Sequence, residues 1–183
     1  ILRTILQSHV YQLSSTPNET NIRDTRHFSR SYRRRLGAEV LLDAVRDVTG
    51  VSETYDATWP GSRAMETWNF KIASEFMDAF GRPNSSSDPP CERNAKGNVV
   101  QALHLMHAEK LSAWIGDANG RARQLAVGKK TPLELADELY LTAFSRRPSE
   151  KELGTVLAFM EKHKANRQAA VEDLMWSIIN SAE

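Results

Sequence analysis

Apolar residues along this chain recur with the spacing of helices. Over residues 36–48, Val40, Leu41, Ala44, Val45 and Val48 fall on one face, and Gly50 stands where a helix C-terminus favours a left-handed residue. Residues 72–80 repeat the pattern with Ile72, Ala73, Phe76, Met77 and Phe80, and Gly81 followed by Pro83 forms a stop signal. Residues 98–115 are apolar around most of the helical circumference, which predicts a central, buried helix. Ile1 to Leu6 read as the tail of an amphipathic helix. No segment alternates apolar and polar residues as a half-buried strand would.

The C-terminal third is the most explicit. Thr131-Pro132-Leu133-Glu134 places a capping threonine, a first-turn proline and a glutamate at the third helical position, so Thr and Glu satisfy each other's orphan backbone donors. Ser149-Glu150-Lys151-Glu152 repeats the device ahead of Leu153, Val156, Leu157 and Met160. A last helix carries Val171, Leu174, Met175 and Ile178, with Trp176 beside them. The short connector Arg146-Arg147-Pro148 makes the two capped helices near neighbours in space.

Two stretches resist helical reading. Residues 14–31 are polar and rich in Asn, Thr and Arg; residues 84–97 hold three serines, two prolines and Cys91. Long irregular segments in a compact helical domain are often functional or grip a partner. The fold class is therefore all-α, an irregular helical bundle with long polar loops, formed as one domain over residues 1–183. The chain starts at Ile1 and stops at Glu183 without a helix terminator, and reads as a fragment of a longer protein.

Charge and composition then narrow the function. The 183 residues carry 24 basic and 23 acidic side chains, a net charge of +1 that disfavours a dedicated nucleic-acid binder. No apolar run approaches the roughly 20 residues that span a bilayer. A single cysteine excludes an internal disulfide framework, and without Cys-x-x-Cys-His no haem attaches to this chain. No Gly-rich phosphate loop, Gly-x-Ser-x-Gly elbow or His-Glu-x-x-His helix is present.

A longer string of motifs is specific. Tyr11-Gln12-Leu13-Ser14-Ser15, Pro17-Asn18, Asn21, Asp24, Phe28-Ser29-Arg30 and Arg34-Arg35-Leu36 are followed by Ala38-Glu39-Val40-Leu41-Leu42-Asp43-Ala44 and Val48-Thr49-Gly50. Phe80-Gly81-Arg82-Pro83, Cys91-Glu92-Arg93, Gln101-Ala102-Leu103-His104-Leu105, Leu139-Tyr140-Leu141 and Ser145-Arg146-Arg147-Pro148 continue it, and Asp173-Leu174-Met175-Trp176 with Asn180-Ser181 ends it. Together they resemble the C-terminal domain of unknown function of large multi-domain proteins from planctomycetes and related bacteria. The chain departs from that pattern at Asn84-Ser85-Ser86-Ser87, where a further Arg is usual, and at His107, where Asn is common. The resemblance implies export to the periplasm or cell surface and other domains of the same polypeptide as partners. It also implies a haem, if any, on an upstream cytochrome-c-like module. It implies no reaction.

The residues themselves offer several constellations. Arg23, Arg26, Arg30, Arg33, Arg34 and Arg35 crowd one stretch with Asp24, interleaved with His27, Phe28 and Tyr32. Guanidinium forks match sulfate, phosphate and carboxylate, and aromatic faces stack on a sugar or a base. The structural alternative has these arginines binding backbone carbonyls and pairing with Asp24, Glu39 or Asp43. Glu39 and Asp43 lie one turn apart, opposite the apolar stripe, and form either an acid/base pair or an exposed ion-pair ladder. His104 and His107 can present two imidazoles to one metal, but no third ligand is evident, so no metal is assigned. Cys91, with Glu92 and Arg93, sits in the second polar loop and has His104 as its nearest candidate base. Trp59, Trp68, Tyr55 and Trp114 offer an aromatic platform, with only Trp59 in an obvious turn, Thr58-Trp59-Pro60-Gly61. The favoured reading is a non-catalytic docking or anionic-ligand module, with an anionic glycan as candidate ligand and the arginine loop as its contact surface. The alternative is an enzyme domain acting on an extracellular acidic polysaccharide through Glu39, Asp43, Asp24 and His104.

Overall fold

A computed structural model describes residues 1–56, 58–67, 72–82 and 109–181. Among them are eight α-helices, two short 3-10 turns and no strand, so the all-α expectation holds. The chain divides into two compact units, Ile1–Leu36 and Gly37–Glu183. The first contains one short helix, α1 (Leu2–Leu6), followed by irregular backbone. The second carries α2 (Ala38–Thr49), α3 (Glu75–Ala79), α4 (Glu109–Ile115), α5 (Arg121–Val127), α6 (Pro132–Phe144), α7 (Glu150–Lys162) and α8 (Arg167–Ile179).

Local signals set most helix ends. Gly50 closes α2 at φ 75°, returning its N–H to the Arg46 carbonyl at 2.8 Å. A side chain there would also crowd the Arg121 nitrogen at 3.3 Å. Gly81, at φ 84°, follows α3, and the Ser74 hydroxyl accepts the Met77 N–H at its start. Thr131 and Ser149 both form complete capping boxes, with Glu134 and Glu152. Arg146 then fastens the α6–α7 connector: its guanidinium bonds both Glu152 oxygens at 2.9 and 3.0 Å and lies over Tyr140 and Phe144. That contact, with Ser149, pulls the Glu152 carboxyl down to about 2.

Among the described residues, α8 meets α2, α4, α5, α6 and α7 and buries Ala170, Val171, Met175 and Ile178. The central helix expected at 98–115 is seen only as α4, which buries Leu111 and Ile115 and leaves Ser112 and Ala113 exposed; residues 98–108 lie outside the described residues. Helix α5, packed chiefly on α8, was not expected, because seven residues leave too short a period to read.

Packing departs from the periodicity on α2. Its buried face is Ala38, Leu42, Val45, Val48 and Thr49, and Val40, expected in the core, is 39 % exposed. Asp43, expected on an outward ladder, is only 5 % exposed. Its Oδ1 accepts the Ala64 N–H at 2.7 Å and its Oδ2 the Met65 N–H at 3.1 Å, with the Arg63 Nε 3.5 Å away. The carboxylate thus supplies the start of the 3-10 turn Ala64–Glu66 with the acceptors it lacks, a favourable charge at a helix N-terminus. Glu53 anchors the preceding segment, accepting the Ser74 hydroxyl at 3.0 Å and pairing with Lys110 on α4. Burial, followed by the carboxylates of Glu53 and Asp43, pushes the nearby Tyr55 phenol up, so it stays protonated.

Asp43→Ala leaves buried amides without an acceptor and is expected to destabilise the fold by about 2 kcal/mol. Chemical denaturation checks this. A loss below about 0.5 kcal/mol, the range of neutral surface changes, would show that the carboxylate does not hold the turn.

Candidate functional site

Between Ser14 and Leu36 no helix or strand pairs the backbone; apart from a few turn bonds and the Ser31 N–H to the Ser14 carbonyl, side chains do so. Asn18 and Asn21 form the first knot. The Asn18 Oδ1 accepts from the Thr20 N–H, the Thr20 hydroxyl and the Asn21 N–H at 2.8–3.0 Å. In return the Asn18 N–H donates to the Asn21 Oδ1, and the Asn21 amide donates to the Ser29 carbonyl. Asp24 forms the second knot. Its Oδ1 accepts the N–H groups of Arg26 and His27 at 2.9 and 2.8 Å; its Oδ2 accepts the Ser29 N–H at 2.9 Å and the Ser29 hydroxyl. The Ser29 hydroxyl, then these amides, hold the Asp24 carboxyl far below the usual carboxylate range.

The knots position a short aromatic wall. Phe28 sits at φ 52°, a left-handed conformation that a bulky residue keeps only where its surroundings enforce it. Here the Tyr32 hydroxyl accepts the Phe28 N–H at 3.0 Å while Asp24 holds both flanks. The Phe28 and Tyr32 rings lie 5.2 Å apart, and the Arg30 guanidinium rests 5.2 Å from the Tyr32 centroid. These three side chains, with Tyr11 and Arg34, line an open cleft of about 580 Å³ completed by small and aliphatic residues from α1 and the turn after it. The lining contains no carboxylate and no histidine. Among the described residues, neither Arg30 nor Arg34 pairs with a carboxylate.

The sequence-predicted residues are thus sorted. Arg30 and Arg34 meet in the cleft, whereas Arg23, Arg26 and Arg33 are exposed outside its lining and Arg35 is half-buried. Asp24 bonds backbone amides rather than arginines, and Asp43 pairs with Arg63, outside the 23–35 stretch. Glu39 is half-buried in the first turn of α2. Cys91, Arg93, His104 and His107 lie outside the described residues, as does Trp68. Tyr11 is a cleft residue that spacing did not single out, since only the tertiary path of the loop brings it to Arg30. Among the described residues, no three His, Cys, Asp or Glu side chains converge as metal ligands. No described helix is long and apolar enough to cross a membrane. A second, apolar groove of about 610 Å³ lies between α6, α7 and α8, around Phe144, Phe159 and Ile178, and includes none of the predicted site residues.

Because folding depresses the Asp24 pKa, the order it confers is present above the ordinary value of 3.8 and is lost as pH falls below it toward the folded value. The amide proton shifts of Arg26 and Ser29 should therefore stay nearly constant from pH 7 to about pH 5 and move chiefly in stronger acid. Asp24→Asn should displace them at every pH. Titration of these amides near pH 4 in parallel with an exposed carboxylate would contradict the assignment.

Comparison with curated proteins gives no match, and comparison with solved structures gives none. The family model that matches covers residues 1–160 and is described as PSD1, a protein of unknown function (DUF1553). In keeping with the unknown-function domain that its motifs resembled, this chain belongs to the PSD1 (DUF1553) family.

Proposed function

We propose that this domain is a non-catalytic binding module that takes an anionic ligand, and an anionic glycan in particular, in the Arg30/Arg34 cleft. The observation that carries this reading is the cleft's lining: two guanidinium groups and three aromatic rings, with no acid opposite them. Guanidinium stays charged at every physiological pH and offers paired donors that match a sulfate or carboxylate. The rings of Tyr11, Phe28 and Tyr32 provide flat apolar surface beside that charge, which suits a ligand with an anionic edge and an apolar face. An acidic sugar has both. The Asn18/Asn21 and Asp24 knots favour binding by fixing the loop in advance, so less conformational entropy is lost on association.

Turnover of an acidic polysaccharide is less well served. General acid–base chemistry needs a titratable group within hydrogen-bond reach of the reacting bond, and the cleft is lined by neither carboxylate nor imidazole. Asp24 and Asp43 already accept backbone donors through both oxygens. The proposed setting, an exported protein whose other domains are partners of this one, rests on the resemblance of the motifs.

Arg30→Ala/Arg34→Ala should weaken binding of a sulfated oligosaccharide by about tenfold or more, since each charge-assisted contact contributes on the order of 1.5–3 kcal/mol. Arg23→Ala/Arg26→Ala, outside the cleft, should change it little. Calorimetric titration at low and high salt, with circular dichroism to confirm the helices, reads both. Equal affinity in wild type and the Arg30/Arg34 variant would overturn the proposal.

A further inference from the structure

A second aromatic feature lies in the other unit. Trp59 is 87 % exposed, more than any other large apolar side chain among the described residues except the terminal Ile1. It does not hang on a frayed end. Its carbonyl accepts both the N–H and the hydroxyl of Ser62, at 3.0 and 2.8 Å, and Gly61 turns the chain at φ 79°. Before the turn, the Thr58 hydroxyl donates to the carbonyl of buried Tyr55; after it, Arg46 of α2 donates to the Ser62 carbonyl at 3.1 Å. The indole is therefore held out in water from a turn tied down on both sides, with nearly all of its surface open.

Its neighbours in the turn are polar. Arg63, next after Ser62, forms a two-pronged pair with Asp47 at 2.6 and 3.1 Å, and the two side chains are 40 and 49 % exposed. A tryptophan that anchors a protein partner usually sits within continuous apolar surface that excludes water. Here the flanking residues are Thr58, Pro60, Gly61, Ser62 and Arg63, and Met65 is the single large exposed hydrophobe of the following turn. The ligand that fits a flat apolar face carried on a polar turn is apolar on its own face and hydroxylated at its rim.

We propose that Trp59 is a stacking platform for the pyranose face of a neutral oligosaccharide, with Asp47 and Arg63 taking its hydroxyl groups as acceptor and donor. The site belongs to the Gly37–Glu183 unit, and the one guanidinium offered to its ligand is already paired with Asp47, so the ligand needs no anion.

Cellohexaose, xylohexaose and chitohexaose, each at about 5 mM, test this by calorimetry and by intrinsic fluorescence, with Trp59→Phe identifying the Trp59 share of the emission. At least one hexasaccharide should bind the wild type with little dependence on salt. Trp59→Ala should weaken that binding by about tenfold or more, a loss typical of a stacking contact. Trp59→Phe should retain part of it, and Arg30→Ala/Arg34→Ala all of it. Binding unchanged in Trp59→Ala, or no binding by any of the three sugars, overturns the proposal. So does self-association by sedimentation that Trp59→Ala abolishes, which would make the indole a protein contact. Failure of the sulfated probe leaves these outcomes unaffected, so the two sites are judged separately.

Discussion

The buried carboxylate of Asp43, divided between the amides of Ala64 and Met65, shows the constraint on which the rest of this structure depends. A helical chain with long irregular segments has many backbone groups that no helix or sheet can pair, and each buried one needs a partner. In the Gly37–Glu183 unit, side chains supply those partners repeatedly. Arg121 donates to the carbonyls of Asp47 and Val48 at the end of α2 while pairing with Glu138 on α6. Arg82 reaches the Ile72 carbonyl, and Arg167 the carbonyls of Leu125 and Lys130. Helices meet where these bonds allow them to.

This explains why arginine is prominent in a chain of nearly zero net charge. A planar guanidinium with five donors can hold a carbonyl and a carboxylate together, which a lysine ammonium does less well. Carbonyl binding is the role of Arg46, Arg82, Arg121 and Arg167. Arg30 and Arg34 face a cleft, and the bonds that fix their loop come from Asn18, Asn21, Asp24 and Tyr32. A loop held by neutral amides, a tyrosine hydroxyl and one carboxylate leaves Arg30 and Arg34 facing the cleft, and the strained Phe28 is maintained beside them. Organisation of that kind fits a surface shaped before its ligand arrives. Trp59 follows the same logic in the other unit, where a turn pinned by hydroxyl and guanidinium donors presents a side chain that contributes little to the core.

Helix type and helix ends were determined by the sequence itself. The capping boxes at Thr131 and Ser149 and the glycine signals at Gly50 and Gly81 act within four residues, so their outcome needs no knowledge of the rest of the fold. The polar loop and its mixture of arginines and aromatics were legible for the same reason. Which face of α2 enters the core and which two of six clustered arginines share a cleft with Tyr11 were decided only by tertiary structure. Burial of Asp43 depends on amides 21 and 22 residues away, and the packing of α8 depends on helices α2 and α4 to α7, which its own periodicity does not name. Local pattern records what a residue prefers, whereas a buried charge is admitted only where distant backbone donors converge on it.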